Sequence, residues 1–158
     1  SEVVKWGPDH QEAWDEVRNI LTTQPVLSLY DSNKEHVLMT DASDHFIGGA
    51  LMQREDDGLL HPVMYASRKC VDRETRYDIQ NKEMLAIVWC CSRFYRSIYG
   101  APFTIQTDCC ALSMLNGKLS NNARVVRWQL YIQSFNFRVE VIRGKDNCIA
   151  DFLTRMGT

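Results

Sequence analysis

Between positions 35 and 67 short apolar runs alternate with turn formers: His36-Val37-Leu38-Met39-Thr40, then 46–53, then 62–67, the last two separated by Asp56-Asp57-Gly58. Runs of this length bounded by such residues predict three strands in an antiparallel meander. The period then changes. Met84, Ile87, Val88, Cys91, Phe94, Tyr95 and Ile98 recur at helical spacing, predicting one long central helix capped by Asp78 and stopped at Gly100. Phe103, Ile105 and Thr107 alternate with Thr104, Gln106 and Asp108 as a fourth strand, and a short helix follows over 111–115. Asn121 or Asn122 suits the cap of a helix with Val125, Trp128, Ile132 and Phe135 on one face, and Phe137, Val139 and Val141 alternate as a fifth strand. Ala13, Val17, Ile20 and Leu21 predict an amphipathic lead-in helix before Pro25, and Asn147 suits the cap of a terminal helix with Ile149, Phe152 and Leu153 facing inward. The order predicts an α/β fold: a five-stranded mixed sheet flanked by helices, with an N-terminal connector helix. The boundary falls so that 1–33 is a connector and 34–158 a domain.

The length of 158 residues is enough for one full core, and 45% apolar with 24% charged residues excludes disordered and collagen-like chains. No long apolar run or signal-like N-terminus directs the chain to a membrane. A formal net charge of −2 supplies no global positive field, so a nucleic-acid site must be local or metal-assisted. Cys70, Cys90, Cys91, Cys109, Cys110 and Cys148 include no Cys-x-x-Cys and read as reduced thiols of an intracellular protein, with a zinc site on Cys109, Cys110 and a distant His as the alternative.

The chemistry lies in the acids. Asp41 ends the first predicted strand and Asp108 the fourth; two carboxylates at the ends of neighbouring strands repel unless a cation or a proton intervenes. Glu83 lies early in the long helix, and Asp151 interrupts the mainly apolar stretch 148–153. Four oxygen ligands in apolar surroundings suit Mg²⁺ or Mn²⁺.

The phrases Thr40-Asp41-Ala42-Ser43-Asp44, His61-Pro62-Val63-Met64-Tyr65-Ala66-Ser67-Arg68, Lys82-Glu83-Met84-Leu85-Ala86-Ile87-Val88-Trp89, Thr107-Asp108 with Ala111-Leu112, Arg127-Trp128, and Gly144-Lys145-Asp146-Asn147 before Ala150-Asp151 stand in one order along almost the whole chain. Together they resemble the ribonuclease H domain of reverse transcriptases from Ty3/gypsy-type LTR retrotransposons. Residues 10–14 and 25–27 are similar to the connector that leads out of that family's polymerase part. The resemblance implies a ribonuclease H-like fold in which Asp41, Glu83, Asp108 and Asp151 are catalytic and metal-holding. It implies hydrolysis of the RNA strand of an RNA–DNA hybrid during reverse transcription, with two Mg²⁺ or Mn²⁺ ions about 4 Å apart bridged by Asp41. The 2′-hydroxyl and the wide minor groove would distinguish RNA, with Gln80 as a minor-groove contact and Arg124, Arg127 and Lys145 on phosphates. It implies partners as well: the hybrid, the upstream polymerase domain of a polyprotein and no membrane, with a dimer left open. The place implied is the cytoplasm, in a virus-like particle, with the nucleus left open. A host gene derived from a retroelement is the alternative source.

Other readings stand beside these. The strand-end acids could be turn formers, Asp151 and Glu83 ordinary helix acids, Arg124 and Arg127 a solvated face, and Gly48-Gly49 either a bulge or a place where a nucleic-acid backbone comes close. Cys109-Cys110 replace the polar, often basic pair usual in the family, no His occurs over 141–146, and only 115–122 stands where some ribonucleases H carry a basic handle. These departures predict weak hybrid grip. A domesticated, catalytically silent module binding protein or nucleic acid is the alternative. An integrase core is disfavoured because position 143, where its helical Glu would be expected, is Arg.

Overall fold

The computed structural model describes residues 27–107 and 109–142, apart from the side chains of Cys109 and Cys110. Strands β1 (His36–Ala42), β2 (Phe46–Arg54) and β3 (Leu60–Lys69) form the predicted meander, with β1–β2 and β2–β3 antiparallel. After α1 (Asp72–Thr75), α2 (Ile79–Arg93) and α3 (Tyr95–Ile98), the chain returns as β4 (Phe103–Thr107), parallel to β1. Helices α4 (Cys109–Leu115) and α5 (Ala123–Ile132) then lead to β5 (Phe137–Val141), parallel to β4. The sheet order is β3-β2-β1-β4-β5, the mixed five-stranded sheet expected. The connector helix and the terminal helix fall outside the described residues, and none of the described helices is long and apolar enough to cross a membrane.

Local chemistry explains the helix starts. The Asp78 carboxylate accepts the Asn81 backbone N–H at 2.8 Å, and the Asn122 side chain accepts those of Arg124 and Val125 at 2.9 and 3.3 Å. Three boundaries differ from expectation. The long apolar stripe is divided, because Phe94 leaves helical geometry (φ −99°, ψ 17°) before α3; Phe94 and Ile98 are nevertheless both buried. Helix α5 ends at Ile132, so Phe135 reaches the core from the following turn. At four residues, α1 is too short to leave a periodic signal.

Leu38, Leu51, Met84, Ile87, Cys90 and Ile105 join the sheet to α2, while Val37, Met39, Ala50 and Met52 line the other face of β1 and β2. Gly49 sets the distance between layers: a Cβ there would lie 2.6 Å from the Met39 carbonyl oxygen and 2.7 Å from Cys90 Sγ. Its missing side chain therefore admits helix α2, rather than forming the bulge considered from sequence; the irregularity in the β2–β3 ladder falls at Leu51/Met52. Cys70, Cys90 and Cys91 are free and buried, and burial pushes the Cys91 thiol up to about 12, so it stays a neutral core thiol.

An ion pair fastens α1 to β3. Arg68 Nη1 and Nη2 donate to Glu74 Oε1 and Oε2 at 2.7 and 2.9 Å, and the Val71 N–H also donates to Oε1. The guanidinium holds the Glu74 carboxyl below its ordinary 4.5, so the folded state favours the ionised acid. The pair's contribution is complete above the ordinary carboxylate range and fades as pH falls through it toward the depressed native value. Glu74→Gln should cost about 2 kcal/mol at neutral pH, and melting curves should show its deficit against the wild type shrinking as pH falls through and below the ordinary carboxylate range. A deficit independent of pH would remove the charge from this explanation.

Candidate active site

Asp41 lies at the C-terminal end of β1, where the sequence put it, paired with Gly48 across the β1–β2 ladder. Its side chain is buried, and Oδ1 accepts the Ala42 N–H at 2.9 Å. Glu83 belongs to the opening turns of α2 and is 1% exposed. The strand bearing Asp41 and the helix bearing Glu83 are thus locked together by the close packing at Gly49. Because β1 and β4 are parallel neighbours, their C-terminal ends lie at the same end of the sheet, and Thr107 is the last residue of β4. Asp108, Asp151 and Lys145 lie outside the described residues. Among the described residues, no three His, Cys, Asp or Glu side chains come together as a metal site.

The donor chemistry that is described fits a hard cation. Asp41 and Glu83 supply buried carboxylate oxygens, and the buried Thr40 and Thr107 hydroxyls have no hydrogen-bond partner among the described residues. Oxygen donors of this kind favour Mg²⁺ or Mn²⁺ over thiophilic metals.

The turn beyond Asp41 is built with care. The Ser43 hydroxyl accepts the N–H groups of His45 and Phe46, and the Cys70 N–H donates to the His45 carbonyl at 2.7 Å. Lys82, only 4% exposed, reaches from α2 to donate to the Asp44 carbonyl at 3.3 Å, with an Asp44 carboxylate oxygen at 3.7 Å. Lys82 therefore ties the turn after Asp41 to the helix turn that carries Glu83. Its partner lies 38 residues away, so the phrase Lys82-Glu83 gives no sign of this role. Lys82→Met should cost about 1–2 kcal/mol and weaken Mn²⁺ binding several-fold, with Lys82→Arg restoring part of both; calorimetric melting and Mn²⁺ titration would check this. Unchanged Mn²⁺ affinity would leave Lys82 a purely structural residue.

The candidate nucleic-acid contacts fall into two kinds. Gln80 is exposed on the first turn of α2, one turn before Glu83, and Arg127 is exposed on α5. Arg124 is instead held inside a clasp: its guanidinium lies 4.0 Å from the Tyr77 ring centre and 5.5 Å from that of Trp128, and Nη2 donates to Asn81 Oδ1 at 3.1 Å. A cleft of about 500 Å³ between α1 and α5 is lined by Arg73, Glu74, Tyr77, Arg124, Arg127 and Trp128. Tyr77 and Arg73 escaped the sequence reading because short loop and one-turn segments carry no periodicity.

A ribonuclease H-like sheet with acids on its central strand and adjoining helix defines the class. The family model described as "RNase H-like domain found in reverse transcriptase" matches residues 6–105. The chain is 38% identical over 162 aligned positions to the Transposon Tf2-3 polyprotein of Schizosaccharomyces pombe, covering 96% of this chain and 12% of the polyprotein. The foamy viral protease-reverse transcriptase superposes with a TM-score of 0.62 in its complex with dsDNA (16% identity, 89% of this chain, 30% of that one). Its complex with RNA/DNA hybrid gives 0.59 (16% identity, 90% and 20%); at such identity these likenesses speak for the fold alone. The chain belongs to the RNase H-like domain family of reverse transcriptases, and its relatives are Ty3/gypsy-like retrotransposon polyproteins.

Proposed function

We propose that this chain is a metal-dependent endoribonuclease that cleaves the RNA strand of RNA–DNA hybrids, working as part of a retroelement polyprotein. The observation that carries the reading is the placement of two buried carboxylates, Asp41 and Glu83, on a strand and a helix packed directly together. Asp41, Glu83, Asp108 and Asp151 would hold two Mg²⁺ or Mn²⁺ ions, which when bound supply activation of water and stabilisation of the leaving 3′ oxygen. The chain's own residues orient and grip. Gln80 would meet the minor groove, Arg127 and Lys145 would meet phosphates, and Arg124 would hold the α2–α5 wall against which the duplex rests. We take 1–33 as the connector from an upstream polymerase domain and 34–158 as the nuclease unit, acting inside the cell in a cytoplasmic virus-like particle.

Metal addition tests this reading against the silent-module alternative. Millimolar Mn²⁺ should raise the melting temperature of the wild type above the effect of matched ionic strength, since a ligand bound only by the native state stabilises it. Equal melting with and without Mn²⁺ would favour the module without catalysis.

A further inference from the structure

The end of the sheet that bears Asp41 also carries a polar ledge on β2 and β3, and strand register places it. Asp41 pairs with Gly48 and Gly48 with Ser67; two residues further along, beyond the end of β1, Phe46 pairs with Lys69. Side chains alternate along a strand, so Asp41 and Lys69 stand on one face of the sheet, that of Val37, Met39 and Tyr65. The opposite face takes α2 and Arg68, whose guanidinium lies 5.6 Å from the Trp89 ring centre. Two strand spacings sideways and two residues lengthwise put the Lys69 Cα about 12 Å from that of Asp41. His45, in the turn after Asp41, adjoins Lys69 at the head of β2.

The backbone of this ledge is held from both sides. The Cys70 N–H donates to the His45 carbonyl at 2.7 Å, joining the end of β3 to the turn, and Arg68 Nη1 donates to the Lys69 carbonyl at 3.1 Å. The neighbouring cations are engaged. Arg68 binds both Glu74 oxygens, and Lys82 meets the Asp44 carbonyl, with the exposed Asp44 carboxylate 3.7 Å away. Lys69 and His45 are exposed, and neither side chain has a hydrogen-bond or ion-pair partner among the described residues. A cation left free on a fixed backbone, beside buried acids in a chain of net charge −2, is suited to contact a polyanion locally. The strand that passes Asp41 is the one cut, and its partner lies across the wide minor groove, so a cation this near on the same face meets the cut strand first.

We infer that Lys69, with His45 beside it, holds a phosphate of the RNA strand next to the bond that is cut, which rests on the proposed reading for the identity of that strand. Binding of RNA–DNA hybrid to the purified chain tests it, measured in chelator so that metal-dependent cleavage plays no part. The hybrids carry a neutral methylphosphonate in place of one phosphate at a time. Lys69→Gln should bind the unmodified hybrid several-fold more weakly and lower the slope of log K against log salt by about 0.9. One RNA methylphosphonate near the cut should weaken the wild type several-fold and leave Lys69→Gln unaffected, with His45→Ala showing part of the same coupling. The Lys69→Gln protein should melt within about 2 °C of the wild type, and Arg93→Gln, at the other end of α2, should keep the full methylphosphonate effect. An unchanged slope in Lys69→Gln, an equal loss of coupling in Arg93→Gln, or coupling to a DNA-strand phosphate instead would overturn the inference. Coupling without any cleavage in metal would uphold this contact and count against the nuclease, whereas cleavage by a wild type that shows no coupling would do the reverse.

Discussion

Asp41→Asn is expected to reduce hybrid cleavage by about a thousandfold or more, the scale on which groups that stabilise developing charge act, while melting stays equal or rises. The amide keeps the oxygen that accepts the Ala42 N–H at 2.9 Å, so the backbone of β1 is undisturbed. What it removes is one buried negative charge near the helix that bears buried Glu83, a charge whose burial costs free energy in the metal-free protein. A structural aspartate would give the opposite pair of results: cleavage retained and stability lost. Cleavage rates on a labelled hybrid and calorimetric melting of the same preparations separate the two.

Gly49→Ala carries the largest expected loss of stability. The added methyl group would fall 2.6 Å from a backbone oxygen of β1 and 2.7 Å from Cys90 Sγ. The carbonyl cannot rotate away without breaking the strand ladder, so α2 must move outward. Overpacking of this kind costs about 2–3 kcal/mol, roughly 6–10 °C in a domain of this size. The same displacement separates the helix of Glu83 from the strand of Asp41, so Mn²⁺ affinity should fall with stability. Gly49→Ala with Cys90→Ala should recover part of the loss, because one of the two close contacts is removed. A Gly49→Ala protein that melts like the wild type would show that the layers are not held at this distance.

The strands were legible because each is a short apolar run between turn formers, and the sheet's mixed character followed from the helix that must carry β1's neighbour back in parallel. Asp78 and Asn122 were legible as caps for the same local reason. What escaped depended on distant contacts. Nothing in the sequence around Phe94 announces that the apolar stripe will bend there, since the residues on both sides keep helical spacing. Arg124 read as a solvated cation or a phosphate grip, yet its surroundings come from Tyr77 and Asn81, more than 40 residues away. Lys82 shows the same limit: its partner is the turn at Asp44, 38 residues earlier. Asp41 and Glu83 stood out through their family phrases, and their shared burial became visible only when Gly49 brought helix and strand together.

The most direct measurement is cleavage of end-labelled RNA–DNA hybrid, double-stranded RNA and double-stranded DNA by the purified chain, each with Mg²⁺, Mn²⁺ or chelator. Internal cuts are expected in the RNA strand of the hybrid alone, dependent on the metal and lost in Asp41→Asn. Metal-independent cutting, cutting of either homoduplex at a similar rate, or an intact hybrid in both metals with the reverse-transcriptase part present would contradict it.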